Sequence, residues 1–330
     1  MRAGTYALSL LATPGVLSVL RALEVEPMPL AELRRAVGSP PQTTMRVQLR
    51  ELTALGVLAR GRELAFPRSV SYELTESGQD LLVVADVLER WLDGAAPDPV
   101  RLGDTQTRRA VKALAEGWEV GIVGMLAAEP RSLTQLSQEI TSLSYPSLER
   151  RLTAMRAAGL VEALESNGRG APCRPTTWLR HAAAPLAAAS RFERSHLASG
   201  QEAKVDVQAM LMLAMPIVRL PQAANGAATL ATRQPSPNGT EERPAPEAVT
   251  VQIRHGRPRS CAAVADEGAE SWVLGVPQAW LGAVVDGVLD SMRFGGPKPE
   301  LAEAVVSTLH AALGGGSAAG SAAPAATTAR

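Results

Sequence analysis

Apolar residues recur at helical spacing near the start of the chain: Val16, Val19, Leu20 and Leu23, then Leu30, Leu33 and Val37, then Met45, Leu49, Leu52 and Leu55. This period of three to four residues predicts three amphipathic helices. Gly38 suits the left-handed position that ends a helix, and Ser39-Pro40-Pro41 breaks the chain before the third helix. Gly56 closes that helix ahead of the β-prone Val57-Leu58. Residues 60–68 contain Gly61 and Pro67 and separate Val57-Leu58 from Val70-Ser71-Tyr72-Glu73-Leu74, which predicts a two-stranded hairpin with a basic tip. Thr75 is placed to cap a closing helix through Trp91.

The same pattern returns later in the chain. Residues 7–59 and 110–162 align without a gap at an offset of 103. Identities include Ala7/Ala110, Leu11/Leu114, Leu23/Leu126, Pro27/Pro130, Leu33/Leu136, Leu49/Leu152 and Gly56/Gly159. Two copies of one fold are therefore expected. The second copy's hairpin is expected over 165–175, with Asn167-Gly168 as a turn. The apolar stretch 6–12 matches an internal segment of the second copy, so it reads as a domain's first helix, not as a signal peptide, and a cytoplasmic protein is expected.

Beyond residue 200 the pattern changes. An apolar helix is expected over 205–215, a strand over 249–253, a turn at His255-Gly256-Arg257, and strands over 260–264 and 271–275. Pro277-Gln278-Ala279-Trp280-Leu281 leads into a helix rich in Ala and Val. Prolines between 235 and 246 mark a loop, and the Gly/Ala/Ser tail is expected to be disordered.

Composition narrows the function classes. Of 330 residues 46% are apolar, 20% charged and 3% aromatic, so the cores must be built mostly of Leu, Val, Ala and Met. The longest apolar run, 207–218, is twelve residues and contains Gln208 and Pro216, short of the ~20 a membrane span needs. Cys173 and Cys261 lie 88 positions apart and the four histidines form no HxxxH pattern, which argues against a disulfide scaffold or a metal site. There is no GxGxxG, no Ser-His-Asp set and no paired-carboxylate arrangement, so no catalytic residue, cofactor or enzyme activity is expected. Net charge is zero, yet residues 34–68 carry seven Arg against two Glu, a patch suited to phosphate.

Two helices joined by a short turn, with a hairpin after the second, describe a winged helix-turn-helix. Residues 15–92 resemble the HxlR-type regulators, relatives of the MarR group. The resemblance rests on Leu52-Thr53-Ala54-Leu55-Gly56, Pro67, Tyr72-Glu73-Leu74-Thr75-Glu76-Ser77-Gly78 and Trp91. It implies a bacterial transcription regulator whose partner is double-stranded DNA; the family's N-terminal cysteine is missing, which leaves thiol sensing without support. With Met45, Leu49 and Leu52 inward, the solvent face of the third helix is Gln42, Thr43, Arg46 and Arg50, where Gln can read adenine and Arg guanine. Arg60, Arg62 and Arg68 on the wing would lie against the DNA backbone or the adjacent minor groove. Tyr145, Ser147 and Arg150 are the candidates in the second copy, where Glu149 replaces Arg46 and Tyr-x-Leu-Thr is not retained.

Residues 249–313 resemble the second half of sterol-carrier-protein-2-like domains, which bind lipidic ligands in an apolar cavity. By that resemblance Met210, Met212, Trp272 and Trp280 would line such a cavity. The expected fold is α+β: winged helices at 1–95 and 104–199 joined by a linker at 96–103, then a small α+β domain at 200–313 with a Pro-rich insertion at 234–247, and a tail at 314–330. The expected function is DNA-binding transcriptional regulation, responsive to a hydrophobic small-molecule effector. The competing class is a non-catalytic small-molecule-binding or sequestering protein whose winged helices serve only for pairing. The short tether between the copies favours a monomeric pseudo-dimer; a homodimer through the C-terminal segment stays open.

Overall fold

The computed structural model describes residues 2–64, 69–94, 104–164, 170–197, 203–233, 247–266 and 268–315. The expected linker at 96–103, the Asn167-Gly168 turn, the prolines of the 234–247 insertion and the tail beyond 315 lie outside the described residues. Among the described residues no single helix is long and apolar enough to cross a membrane.

The first unit runs α1 (Thr5–Leu11), α2 (Val16–Val25), β1 (Met28–Pro29), α3 (Leu30–Ala36), α4 (Gln42–Ala54), β2 (Leu58–Leu64), β3 (Ser69–Leu74) and α5 (Glu76–Asp93). Met45, Leu49 and Leu52 are buried as their spacing requires, in a core shared with Leu20, Leu33 and Leu81. Two expectations need correction. The hairpin's first strand continues to Leu64, so Arg60 is a strand residue opposite Tyr72 and not part of the tip. Its second strand also pairs with β1, a two-residue strand too short to announce itself by alternation.

Helix α4 stops because Gly56 takes a positive φ of 73° that suits a residue without a Cβ. The Gly56 amide then donates to the Thr53 carbonyl and the Val57 amide to that of Leu52, satisfying orphan carbonyls at the helix end. The Thr75 hydroxyl donates to the carbonyls of Gly56 (2.6 Å) and Val57 (3.0 Å) and accepts from the Gly78 amide that opens α5. One side chain thus ties α4's exit to the cap of α5. Thr75→Val is expected to destabilise the protein by about 1–2 kcal/mol, measured by urea unfolding.

The second unit runs α6 (Thr105–Glu119), α7 (Ile122–Ala128), α8 (Leu133–Glu139), α9 (Tyr145–Ala157), β4 (Val161–Ala163), β5 (Cys173–Pro175), α10 (Thr177–His181) and α11 (Ala183–His196). Helices α8 and α9 begin and end 103 positions after α3 and α4. Local bonding recurs too: Gly159 donates to Arg156 and Leu160 to Met155. Although Tyr-x-Leu-Thr is absent, the Thr176 hydroxyl takes the place of Thr75, donating to Gly159 and Leu160 at 2.9 Å each and accepting from the Leu179 amide.

The two units pack through their first and last helices, α1 against α6 and α11, and α5 against α11. Trp91 stacks on Trp178 with ring centroids 4.6 Å apart, and each indole N–H donates to the other's backbone carbonyl. The buried Glu193 carboxylate of α11 accepts from the Gly4 and Ala7 amides, both at 2.8 Å, and so caps α1 from 189 residues away.

The last unit contains α12 (Val207–Ala214), β6 (Gly226–Thr232), β7 (Glu247–Arg254), β8 (Arg257–Ala262), β9 (Ser271–Gly275), α13 (Pro277–Asp286), β10 (Arg293–Gly295) and α14 (Pro299–His310). Its sheet has the order β10-β9-β6-β7-β8, with β6 parallel to β9 and the other neighbours antiparallel. The expected strand at 260–264 begins earlier, at Arg257, because His255-Gly256 turns the chain with φ of 52° and 70°. The central strand β6 escaped the periodicity argument: Gly226-Ala227-Ala228-Thr229-Leu230-Ala231-Thr232 is mostly small residues, largely buried without alternation. Helices α12, α13 and α14 pack against the sheet, and α12 and α13 also contact α7 and α11 of the second unit.

Candidate nucleic-acid interface

Helix α4 lies between α3 and the first hairpin, and its apolar stripe leaves the opposite face to solvent. Gln42, Arg46 and Arg50, four residues apart along that face, line an open groove of about 800 Å³ with Arg60 of β2. The structure thus gathers four of the seven candidates of the first copy. Thr43 is exposed on α4 but outside that lining, while Arg68 and the side chain of Arg62 lie outside the described residues.

Arg34 also lines the groove, and the sequence reading did not name it. Its Nε donates to the Pro40 carbonyl at 2.7 Å, so it braces the turn between α3 and α4 while adding positive charge to the groove. The signal was the Arg34-Arg35 pair at the end of α3, where cations also complement the helix dipole. Pairing distinguishes these groups from other arginines. Arg34, Arg46, Arg50 and Arg60 form no ion pair with a carboxylate among the described residues, whereas Arg21, on the neighbouring α2, is held by Glu24, Asp86 and Glu89, which push its guanidinium pKa up. Among the described residues the groove's cations thus have no carboxylate partner and face an open surface.

In the second unit Tyr145 is the first residue of α9 and is 48% exposed, and Ser147 is bonded to the Ser144 hydroxyl at 3.0 Å. Arg150 is not brought together with Tyr145. It faces a groove between α6 and α9 together with Arg109, Lys112 and Arg151, because five helical positions after Tyr145 place it on a different side of α9.

The four ligand candidates are dispersed. Met210 and Trp280 meet at a void that offers only about 10 Å³ to the centre of a water-sized sphere, with Leu211, Val284 and Leu309 around it. That is room for about one water, far below the ~300 Å³ of an ordinary ligand pocket. Met212 is buried outside that lining. Trp272 is 41% exposed on β9, opposite Gly295 of β10. The Trp280 indole donates to the Ala231 carbonyl at 3.0 Å, which fixes its ring to the central strand.

Comparison with known proteins bears on the first unit. The model of a family described as HxlR-like helix-turn-helix matches residues 15–98. An uncharacterized HTH-type transcriptional regulator of Halalkalibacterium halodurans is 32% identical over 87 residues, 26% of this chain and 77% of that protein. Through the segment that carries α2 to α5 and the basic groove, the chain belongs to the HxlR-like helix-turn-helix family.

Proposed function

We propose that this protein is a DNA-binding transcription regulator that reads double-stranded DNA with α4 and holds the backbone with Arg34 and the first wing. One observation carries the reading: Gln42, Arg46, Arg50 and Arg60 converge on one open groove without a carboxylate partner among the described residues. A helix entering the major groove needs base-reading side chains on its outer face and cations beside it for phosphates, and α4 supplies both. The family membership and the regulator named among its relatives favour the same reading. No reaction step is part of it.

Arg46→Ala is expected to weaken binding to a selected operator by about 1–3 kcal/mol and to relax one base preference. Arg60→Ala should weaken all sequences alike and reduce the salt slope by about one unit. Fluorescence anisotropy over a salt series, on selected and scrambled duplexes, separates the two. Parent-like binding by both variants would remove α4 and its wing as the reader.

The wider organisation belongs to the same proposal: two winged helices paired within one chain, followed by a sterol-carrier-protein-2-like sensing unit. The recurring threonine caps and the packing of α5 on α11 support the first part. The sheet covered by helices after residue 203, with Met210 and Trp280 meeting at a void among those helices, supports the second. A hydrophobic effector would have to displace the Trp280 ring to open the void. Its coupling to DNA must be reciprocal: the factor by which it changes operator affinity equals the factor by which operator changes effector affinity.

A further inference from the structure

We propose that each chain reads a single operator half-site, because the second helix-turn-helix keeps the backbone of a reader and has lost the arginines that line the first groove. The inference rests on the DNA reading of the first unit. Helices α4 and α9 have the same length of 13 residues, the same buried stripe (Met45, Leu49, Leu52 against Leu148, Leu152, Met155) and the same terminal hydrogen bonds. Position can therefore be compared with position. Arg34, Gln42, Arg46, Arg50 and Arg60 correspond to Ser137, Tyr145, Glu149, Thr153 and, on the hairpin, Ala163. Four arginines give way to none, and a carboxylate is added.

A second observation is independent of that comparison. Two arginines at the second hairpin are paired within the unit: Arg131 pairs with Glu129 at 2.8 Å and with Glu139, and Arg174 pairs with Glu162 at 2.7 Å. Arg150 faces the groove toward α6, and Arg151 donates to the Glu116 carbonyl of α6 at 3.1 Å. An exposed Glu149 can accept from cytosine, but at the position that Arg46 holds in α4 it would bring a negative charge toward the phosphates where the first unit brings a positive one. The second unit then serves as the packing partner of the first: α6 and α11 hold α1 and α5 in place.

The test uses the full chain and duplexes carrying one or two copies of the half-site that the protein selects from random DNA. Sedimentation velocity counts chains per duplex and hydroxyl-radical footprinting maps contacts. One chain per half-site is expected, each protecting one major-groove segment of about one helical turn. The exposed pair Tyr145→Ala with Glu149→Ala should bind within about twofold of the parent, whereas Arg46→Ala with Arg50→Ala should lose at least about tenfold. One chain protecting two half-sites, or a tenfold loss from the Tyr145 and Glu149 pair, would overturn the inference and leave the DNA reading intact. Absence of salt-dependent binding by the parent protein would overturn that reading and the inference with it.

Discussion

Glu193→Leu is expected to lower the unfolding free energy by about 3–5 kcal/mol, because it strands buried donors that nothing else in the fold can satisfy. The carboxylate is almost fully buried and accepts from the Gly4 and Ala7 amides at the start of α1. Leucine fills the volume but offers no acceptor, and water does not reach the site to replace it. Urea unfolding should show a lower midpoint with an unchanged slope, since the surface exposed on unfolding is the same. Glu193→Gln keeps one acceptor and should lose less.

The same residue gives stability a pH dependence. Burial pushes the Glu193 carboxyl pKa up, against the Ala7, Gly4 and Tyr6 amides, which pull it down. The native state therefore holds this proton to higher pH than the unfolded chain does. The contribution is fully present below the unfolded value and is lost as pH rises through the native one. Melting temperatures across that interval should fall more steeply for the parent than for Glu193→Gln. Parallel profiles would show that the carboxyl ionises alike in both states.

Trp118→Ala is the second large effect, with an expected loss of about 3–5 kcal/mol for a fully buried indole whose site cannot collapse around alanine. More than volume is lost. The Trp118 indole donates to the Ala3 carbonyl at 3.0 Å, and the Arg2 guanidinium lies 5.5 Å from its ring centroid. Arg2 in turn pairs with Asp206 at 3.2 Å, and Asp206 caps α12 by accepting from the Ala209 amide. Hydrogen exchange should therefore speed up at Gly4 and Ala7 and at the first turn of α12, while the amides of α4 change less. Equal acceleration everywhere would show that Trp118 contributes only to global stability.

These two sites show where reading along the chain stops. The apolar stripes of α2, α3 and α4, the glycine after each of α3 and α4, and the offset of 103 are all local or periodic, and they need only the 3.6-residue repeat and the backbone freedom of glycine to be legible. So was the outer face of α4, since burying Met45, Leu49 and Leu52 forces Gln42, Arg46 and Arg50 outward. The displacement of Arg150 from Tyr145 was open to the same arithmetic. Strand β6 was not legible, because a small-residue strand buried in mid-sheet has no alternation to show.

By itself, then, the sequence determined the helical stripes of the first unit, the offset of 103 and the basic helix face. Tertiary structure alone decided which charges are paired among the described residues. Arg46 and Arg21 are the same residue type, yet among the described residues it is Arg21 that Asp86 and Glu89 of α5 pair with, from 65 and 68 positions away. It also decided that Glu193 caps α1 and that Arg34 joins the groove. The physical reason is common to all three: an ionisable group's role depends on what lies within a few ångströms of it, and those neighbours are brought there by packing between elements distant in the chain.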